Sequence, residues 1–264
     1  MLKVGVVFML VALAGALLGP LATPYDPAHQ ELALRLGAPN AAHPFGLDEL
    51  GRDILARVLA GARISFLVGL TVVSVSAVVG TVLGALAGYF GGALDDLISR
   101  LIDVLLAFPG LLLAIAIVAV LGPSLVNVLV ALTLIGWVSY ARLVRGQVLR
   151  AREFEYVQAA RALGAGTLRI LWRHVIPAAV PSLVVQSTLG MAGAIIGEAS
   201  LSFLGLGVQP PTPSWGTMLN GGRAHILDAP HLTIFPGLAI ALLVLGFNFV
   251  GDGLRDRLDP RRQP

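Results

Sequence analysis

Several stretches of this chain carry no Asp, Glu, Lys or Arg over lengths that can cross a bilayer, among them Val4 to Tyr25, Ile64 to Leu94 and Val104 to Ala141. At about 1.5 Å of rise per residue, some twenty helical residues span a hydrocarbon core of about 30 Å. Lipid offers no hydrogen bonds, so a segment inside it must pair its own backbone groups, and a helix does that within itself. The strands of a membrane barrel are about ten residues long and alternate in polarity, which these runs do not. The expected class is an all-α membrane protein. Composition agrees: 56% of the 264 residues are hydrophobic and 12% are charged, with a mean hydropathy of +0.86. A soluble domain is nearer a quarter charged, so a disordered chain, a nucleic-acid module and an ordinary soluble enzyme are excluded. The chain has no cysteine, which excludes disulfides, thiolate metal sites and cysteine nucleophiles. Its one lysine is Lys3, and a phosphate-binding P-loop needs a lysine after its glycines. No Walker-type ATPase site is therefore expected in this chain.

Charges and turn residues divide the chain. Residues 1–23 are expected as the first transmembrane helix. The run shows no clear small-x-small cleavage site before Pro20 and further spans follow it, so it is taken as a retained span rather than a secretory leader. Residues 24–63 mix Pro, His, Asp, Glu and Arg and form an extracytoplasmic segment. The core then occupies 64–264. Its second span covers about 64–88. The long run after Asp103 is broken by Gly122-Pro123-Ser124, a turn signal, giving spans at about 100–121 and 125–142. A basic segment, 143–181, separates these from spans at about 183–204 and 232–250. With six spans both termini share a side. That side collects twelve Lys and Arg residues against five on the other, so both termini and the 143–181 loop are expected in the cytoplasm.

Within the second span Gly80, Gly84 and Gly88 recur every four residues and share a helix face. Such a face lets two backbones approach, either as static packing or as a moving contact. Glu198 lies inside an apolar span, in GAIIGEASLSF. A carboxylate at bilayer depth is costly and faces a cavity or a partner. It reads as a pathway or gating residue, or as a structural acid bonded to Ser200, Ser202 or nearby backbone. The five histidines show no metal-ligand spacing, and neither a Gly-x-Ser-x-Gly nor a His-Glu-x-x-His motif occurs. No metal and no catalytic residue are expected. The loop Gly207–Trp215 holds three prolines and is expected outside the cytoplasm, ordered, either touching a partner or capping the bundle.

The basic segment contains EFEYVQAARALGAGTLRILWRHVIP, Glu153 to Pro177, too polar to span. It reads as two short helices broken at Gly164-Ala165-Gly166, the second ended by Pro177. Glu153 and Glu155 open the first, while Arg169, Arg173 and His174 close the second, as helix dipoles favour. Phe154, Val157, Ala160 and Leu163 fall at helical spacing and predict one apolar strip. An amphipathic helix lying on lipid is the other reading. The small Ala159, Ala160 and Gly164 give lipid little apolar area but suit a close fit into a protein groove.

Gln158-Ala159-Ala160, then Gly164, then Ile176-Pro177, resembles the EAA loop of bacterial ABC importer membrane subunits. Gln158 replaces the usual Glu, and His174 stands where the broader pattern has Ile. Three more stretches, His43–Phe66, Gly197–Leu219 and Phe235–Arg261, look like the C-type membrane subunit of the dipeptide/oligopeptide permease family. The four blocks occur in family order and cover most of the chain beyond residue 43.

The resemblance implies a permease subunit in a bacterial inner membrane that catalyses no covalent chemistry. It would pair with a second permease to form the pathway. Two cytoplasmic ATPase subunits would drive uptake, and an extracytoplasmic binding protein would deliver peptide. ATP would be used by those partners, and no cofactor is expected in this chain. Gln158, Ala159, Ala160, Gly164, Ile176 and Pro177 become candidate ATPase-coupling residues, with the helix around Ala160–Gly164 in a cleft of the ATPase. The same machinery importing a nickel chelate or another small solute is the alternative. A stand-alone secondary transporter would show intramembrane ion-binding charges or inverted repeats, and an intramembrane enzyme would show paired acids or metal ligands at depth.

Overall fold

Helix boundaries fall where the backbone loses a donor or needs a left-handed residue. The computed structural model describes residues 1–258. After α1 (Leu2–Ala22) the chain makes a single 3-10 turn at Leu32–Leu34 before entering α2 (Ile54–Phe90). Asp53 caps α2, its carboxylate accepting the Ala56 N–H at 2.7 Å, and Gly91 ends it at φ +66°. The succeeding helices are α3 (Gly92–Leu106), α4 (Gly110–Leu121) and α5 (Leu125–Ala151), the last capped by the Ser124 hydroxyl. A short α6 (Glu155–Ala162) leads to α7 (Thr167–Ile170), which passes through a π-helical turn, Leu171–Val175, into α8 (Ile176–Phe203). α9 (Trp215–Gly222) and α10 (His231–Leu258) complete the fold. Among the described residues the only β pairing is an isolated bridge between Leu47 and Asp53. Residues 259–264 of the expected cytoplasmic tail, with Arg261 and Arg262, lie outside the described residues.

By length and composition α1, α2, α5, the continuous α7–α8 rod and α10 can each cross a membrane. The bent pair α3–α4 makes a sixth if counted as one span. The third span expected at 100–121 is thus not one helix: α3 and α4 meet at 87° across Ala107-Phe108-Pro109. Pro109 has no N–H to donate, and its ring drives the preceding residue out of the helical region. Other helices overrun their expected spans. α2 begins at Ile54 instead of 64, and α5 runs to Ala151 instead of 142. Nor does Pro177 end the second short helix expected after Gly166. Its ring would collide with the carbonyl four residues back, and the π turn just before it widens the spiral enough for the rod to continue from Thr167 to Phe203.

α2 packs against α5 and runs parallel to it. Gly80 faces Trp137 and Tyr140, Gly84 faces the Ala141 backbone, and Gly88 faces Arg145 and Val148. A Cβ added at Gly80 or Gly88 would sit 2.6 Å or 2.8 Å from a carbonyl oxygen of α5. Parallel neighbours require the chain to return between them, and α3–α4 is that return. α8 crosses both in the opposite sense, with Gly190 on Tyr140 and Gly69 of α2 on Met191. α1 pairs with α10, Gly5 lying on Gly246 and Phe249, and carries an exposed apolar flank through Val7, Val11 and Leu17. One end of the bundle therefore holds α6, the start of α1 and the end of α10. At the other end the 24–53 segment is fastened by buried polar groups. Asp48 accepts the Arg52 guanidinium at 2.6 Å, Asp53 meets His43 Nδ1 at 2.9 Å, and Arg57 donates to the Pro27 carbonyl at 3.0 Å. Trp215 donates its indole N–H to the Val58 carbonyl at 2.9 Å, tying α9 to α2.

Candidate functional site

The excursion between α5 and α8 is shorter and stiffer than the loop expected over 143–181. Only 152–166 separates the helix that leaves the bundle from the rod that re-enters it. The chain reverses at Ala151–Phe154, where Phe154 N–H donates to the Ala151 carbonyl at 3.1 Å. Gln158 turns back onto this corner, its amide donating to the Glu153 carbonyl at 3.1 Å. At the other end of α6, Gly164 N–H bonds the Arg161 carbonyl and Ala165 N–H bonds the Ala160 carbonyl, both at 3.0 Å. That pair of bonds is a Schellman cap, and it requires the left-handed φ of +81° found at Gly164. Only glycine adopts this conformation at little cost.

The strip expected through Phe154, Val157, Ala160 and Leu163 divides. Val157 alone is fully buried, among Val144, Val148, Ala151, Ile170, Leu171 and Val175. Burying one valine is worth roughly 1.5–3 kcal/mol, enough to seat α6 on the ends of α5 and α7. Leu163 instead points outward at 89% exposure. Two apolar residues missed from the sequence join it: Leu168 at 71% and Trp172 at 66%. Their four-residue spacing after Gly166 was the available signal, since it puts both on one face. Large apolar groups held in the open by a rigid turn mark a contact surface. Ala159 is exposed, Ala160 half-buried, and Ile176-Pro177 lies within the rod, just after the π turn. Gln158, Ala159, Ala160 and Gly164 thus share one small element, while Ile176 and Pro177 lie beyond the 152–166 excursion.

Cationic side chains tie together the helices at this end of the bundle. Arg145 donates through Nε and Nη2 to both oxygens of Asp95 at 2.5 and 2.7 Å, joining α5 to α3. Arg161 lies 5.7 Å from the centre of the Tyr89 ring at the end of α2, a cation–π contact.

Glu198 sits elsewhere, near the opposite end of α8, and is fully buried. Ser202 donates to its Oε1 at 2.6 Å and accepts the Val208 N–H at 3.2 Å. Ser214, the cap of α9, also faces the carboxyl. Ser200, the other expected partner, donates instead to the Ile196 carbonyl. The acid therefore ties the last turn of α8 to the loop that carries α9. Among the described residues no cluster of three His, Asp or Glu side chains forms a metal-binding group.

Residues 80–264 match the family described as binding-protein-dependent transport system inner membrane component. The chain is 47% identical over 258 residues to the dipeptide transport system permease protein DppC of Alkalihalophilus pseudofirmus, covering 98% of this chain and 85% of that one. It is 49% identical over 255 residues to the glutathione transport system permease protein GsiD of Pectobacterium atrosepticum, covering 96% and 85%. A di/tripeptide transport system permease protein DppC of Pseudomonas aeruginosa is 47% identical over 263 residues, covering 97% and 87%. Among solved structures, an amino acid ABC transporter chain aligns with a TM-score of 0.60 at 14% identity, covering 76% of this chain and 94% of that chain. A chain of the MetNI methionine ABC transporter, in an inward-facing conformation, aligns at 0.56 and 19% identity, covering 78% and 95%.

Proposed function

We propose, from the premise that this chain belongs to the family of binding-protein-dependent transport system inner membrane components, that the α6–α7 excursion is the surface through which ATP hydrolysis in other subunits drives peptide across the membrane. The chain is a multi-pass ABC importer permease subunit. The observation that carries the coupling role is the outward display of Leu163, Leu168 and Trp172 on an element seated by Val157. Ala159, Ala160 and Gly164 form its small-residue side, Gln158 its bond back to the Glu153 corner, and Ile176 and Pro177 its junction with α8. The long helices on either side act as levers. α5 has 27 residues and the α7–α8 rod 37, or about 40 and 55 Å at 1.5 Å per residue. Rigid elements carry a displacement from one end to the other.

The family and the names of the relatives support the rest of the reading: a short peptide as substrate, a second permease as partner in a heterodimer, two cytoplasmic ATPase subunits, and an extracytoplasmic binding protein. In this reading both termini lie in the cytoplasm, ATP is bound only by the partner subunits, and this chain needs no cofactor. The test is Gly164→Asp. Nothing in this chain lies within 4 Å of a Cβ added there, so the internal cost is the left-handed backbone alone, about 1 kcal/mol. The subunit should insert and pair with its sister permease, while the ATPase is lost from the complex or uncoupled from uptake. Ala160→Asp, one turn earlier, should behave alike. Gln158→Glu should be tolerated, since it forfeits one exposed hydrogen bond. Normal ATPase retention and uptake in Gly164→Asp would remove the docking assignment.

A further inference from the structure

α1 contains Pro20, and a proline has no N–H to return to the carbonyl four residues back. The Ala16 carbonyl is thereby left without its helical partner, which lipid cannot replace. Arg63 of α2 replaces it. Its Nε donates to the Ala16 carbonyl at 2.5 Å and its Nη2 to the Leu17 carbonyl at 3.4 Å. Ala16 lies six residues before the end of α1, about 9 Å along the helix. The guanidinium therefore sits at or just below the headgroup boundary, where an exposed charge is costly. Arg63 is exposed nonetheless. It shares a face of α2 with Leu67 and Leu70, which are 50% and 65% exposed, so it looks toward lipid. A guanidinium has five N–H donors, and most of these remain. Among the described residues no carboxylate forms an ion pair with it. The anion that a bilayer offers at this depth is the lipid phosphate, which an arginine binds well.

Beside Arg63 a groove of about 400 Å³ opens between the end of α1, residues 23–27 and the start of α2. Gly19, Ala56 and Ala60 line it and keep it open. Asp26 also lines it, four residues beyond the end of α1 and exposed. One of its carboxylate oxygens accepts the Ala28 N–H at 2.8 Å, and among the described residues no cation forms an ion pair with it. The groove thus carries a cation on the side of the acyl chains and an anion further out. A phosphoethanolamine headgroup carries the opposite charges in the same order: phosphate next to the glycerol, and a terminal ammonium with three N–H donors. Phosphatidylglycerol would match Arg63 but bring no cation to Asp26, and phosphatidylcholine has no N–H to give it. We infer that this groove binds one phosphatidylethanolamine molecule, with its phosphate on Arg63, its ammonium on Asp26 and its acyl chains along the exposed Leu17 and Leu21 of α1. The site lies at the end of the bundle opposite α6 and is independent of the coupling surface.

The test is native mass spectrometry of the complete complex, delipidated in detergent and titrated with phosphatidylethanolamine, phosphatidylglycerol or phosphatidylcholine of matched chains. The signal is one bound lipid that the wild type holds and the variants lose. The wild type should hold phosphatidylethanolamine about tenfold or more tighter than either other lipid. Asp26→Asn keeps an oxygen for the Ala28 N–H, so the fold is left alone. It should lower phosphatidylethanolamine affinity to that of phosphatidylglycerol. Arg63→Gln can still donate to a carbonyl of α1 and should weaken binding of phosphatidylethanolamine and phosphatidylglycerol alike, about tenfold or more. Equal binding of the three lipids by the wild type would overturn the inference. So would unchanged phosphatidylethanolamine affinity in Asp26→Asn or in an assembled Arg63→Gln complex. If Arg63→Gln failed to assemble, the Asp26→Asn titration would decide alone.

Discussion

Adding one methyl group at Gly84 should separate two helices, whereas the same methyl at Gly146 should stabilise the fold. At Gly84 an added Cβ would overlap the Ala141 carbonyl oxygen and sit 3.0 Å from both its carbonyl carbon and its Cα. All three are backbone atoms and cannot rotate aside, so α2 and α5 must part by several tenths of an ångström to about 1 Å. A gap of that size forfeits a quarter to a half of each dispersion well, and on the order of 30 atom pairs at about 0.1–0.2 kcal/mol each hold such an interface. The loss is then roughly 1–3 kcal/mol, matching the usual cost of overpacking. Gly146 lies in the interior of α5 with nothing within 4 Å of an added Cβ. Alanine there should recover about 0.5–1 kcal/mol of helix propensity. SDS titration of the purified subunit in mixed micelles, followed by tryptophan fluorescence, would measure both, since Trp137 sits in this interface. Equal or higher stability for Gly84→Ala would refute the close-approach argument.

Glu198→Gln should keep most transport, because the amide preserves shape and an oxygen for Ser202; Glu198→Leu should lower the yield of assembled complex by leaving the buried Ser202 hydroxyl without its acceptor, at about 1–3 kcal/mol. Near-complete loss of uptake in the Gln variant with normal assembly would point to gating by charge instead. Trp172→Ala and Leu168→Ala should leave subunit stability within about 0.5 kcal/mol while weakening ATPase retention in pull-downs. Val157→Ala should instead shift the unfolding midpoint by an amount equivalent to about 1–3 kcal/mol, because its side chain is fully buried. Single cysteines at Gly166 should label only from the cytoplasmic face, and at Thr212 only from outside; labelling of Gly166 from outside would invert the topology.

The chemistry of lipid is severe enough that the sequence alone determines much here. Charge-free runs of span length can only be helices, and Ala159, Ala160 and Gly164 followed by Ile176-Pro177 mark the excursion and its glycine turn. The left-handed Gly164 was legible because the residue after a short helix has few other roles. Helix ends were less legible. Charges at Arg57, Arg63, Arg145 and Arg150 mark where lipid stops, but a helix in water or against protein continues through them, so α2 and α5 overran their expected spans. Proline was ambiguous for the same local reason. Pro109 breaks the chain by 87°, whereas Pro177 is absorbed by a π turn whose Leu171 and Val175 are buried against α5 and α6. Only the tertiary structure decided that Gly80, Gly84 and Gly88 face α5 in parallel, that Val157 is buried while Leu163 is not, and that Glu198 bonds Ser202 and not Ser200. Each of those depends on which neighbour occupies a given helix face. Spacing along one helix states that residues share a face, but the element opposite comes from distant parts of the chain, as Trp215 does in reaching back to Val58.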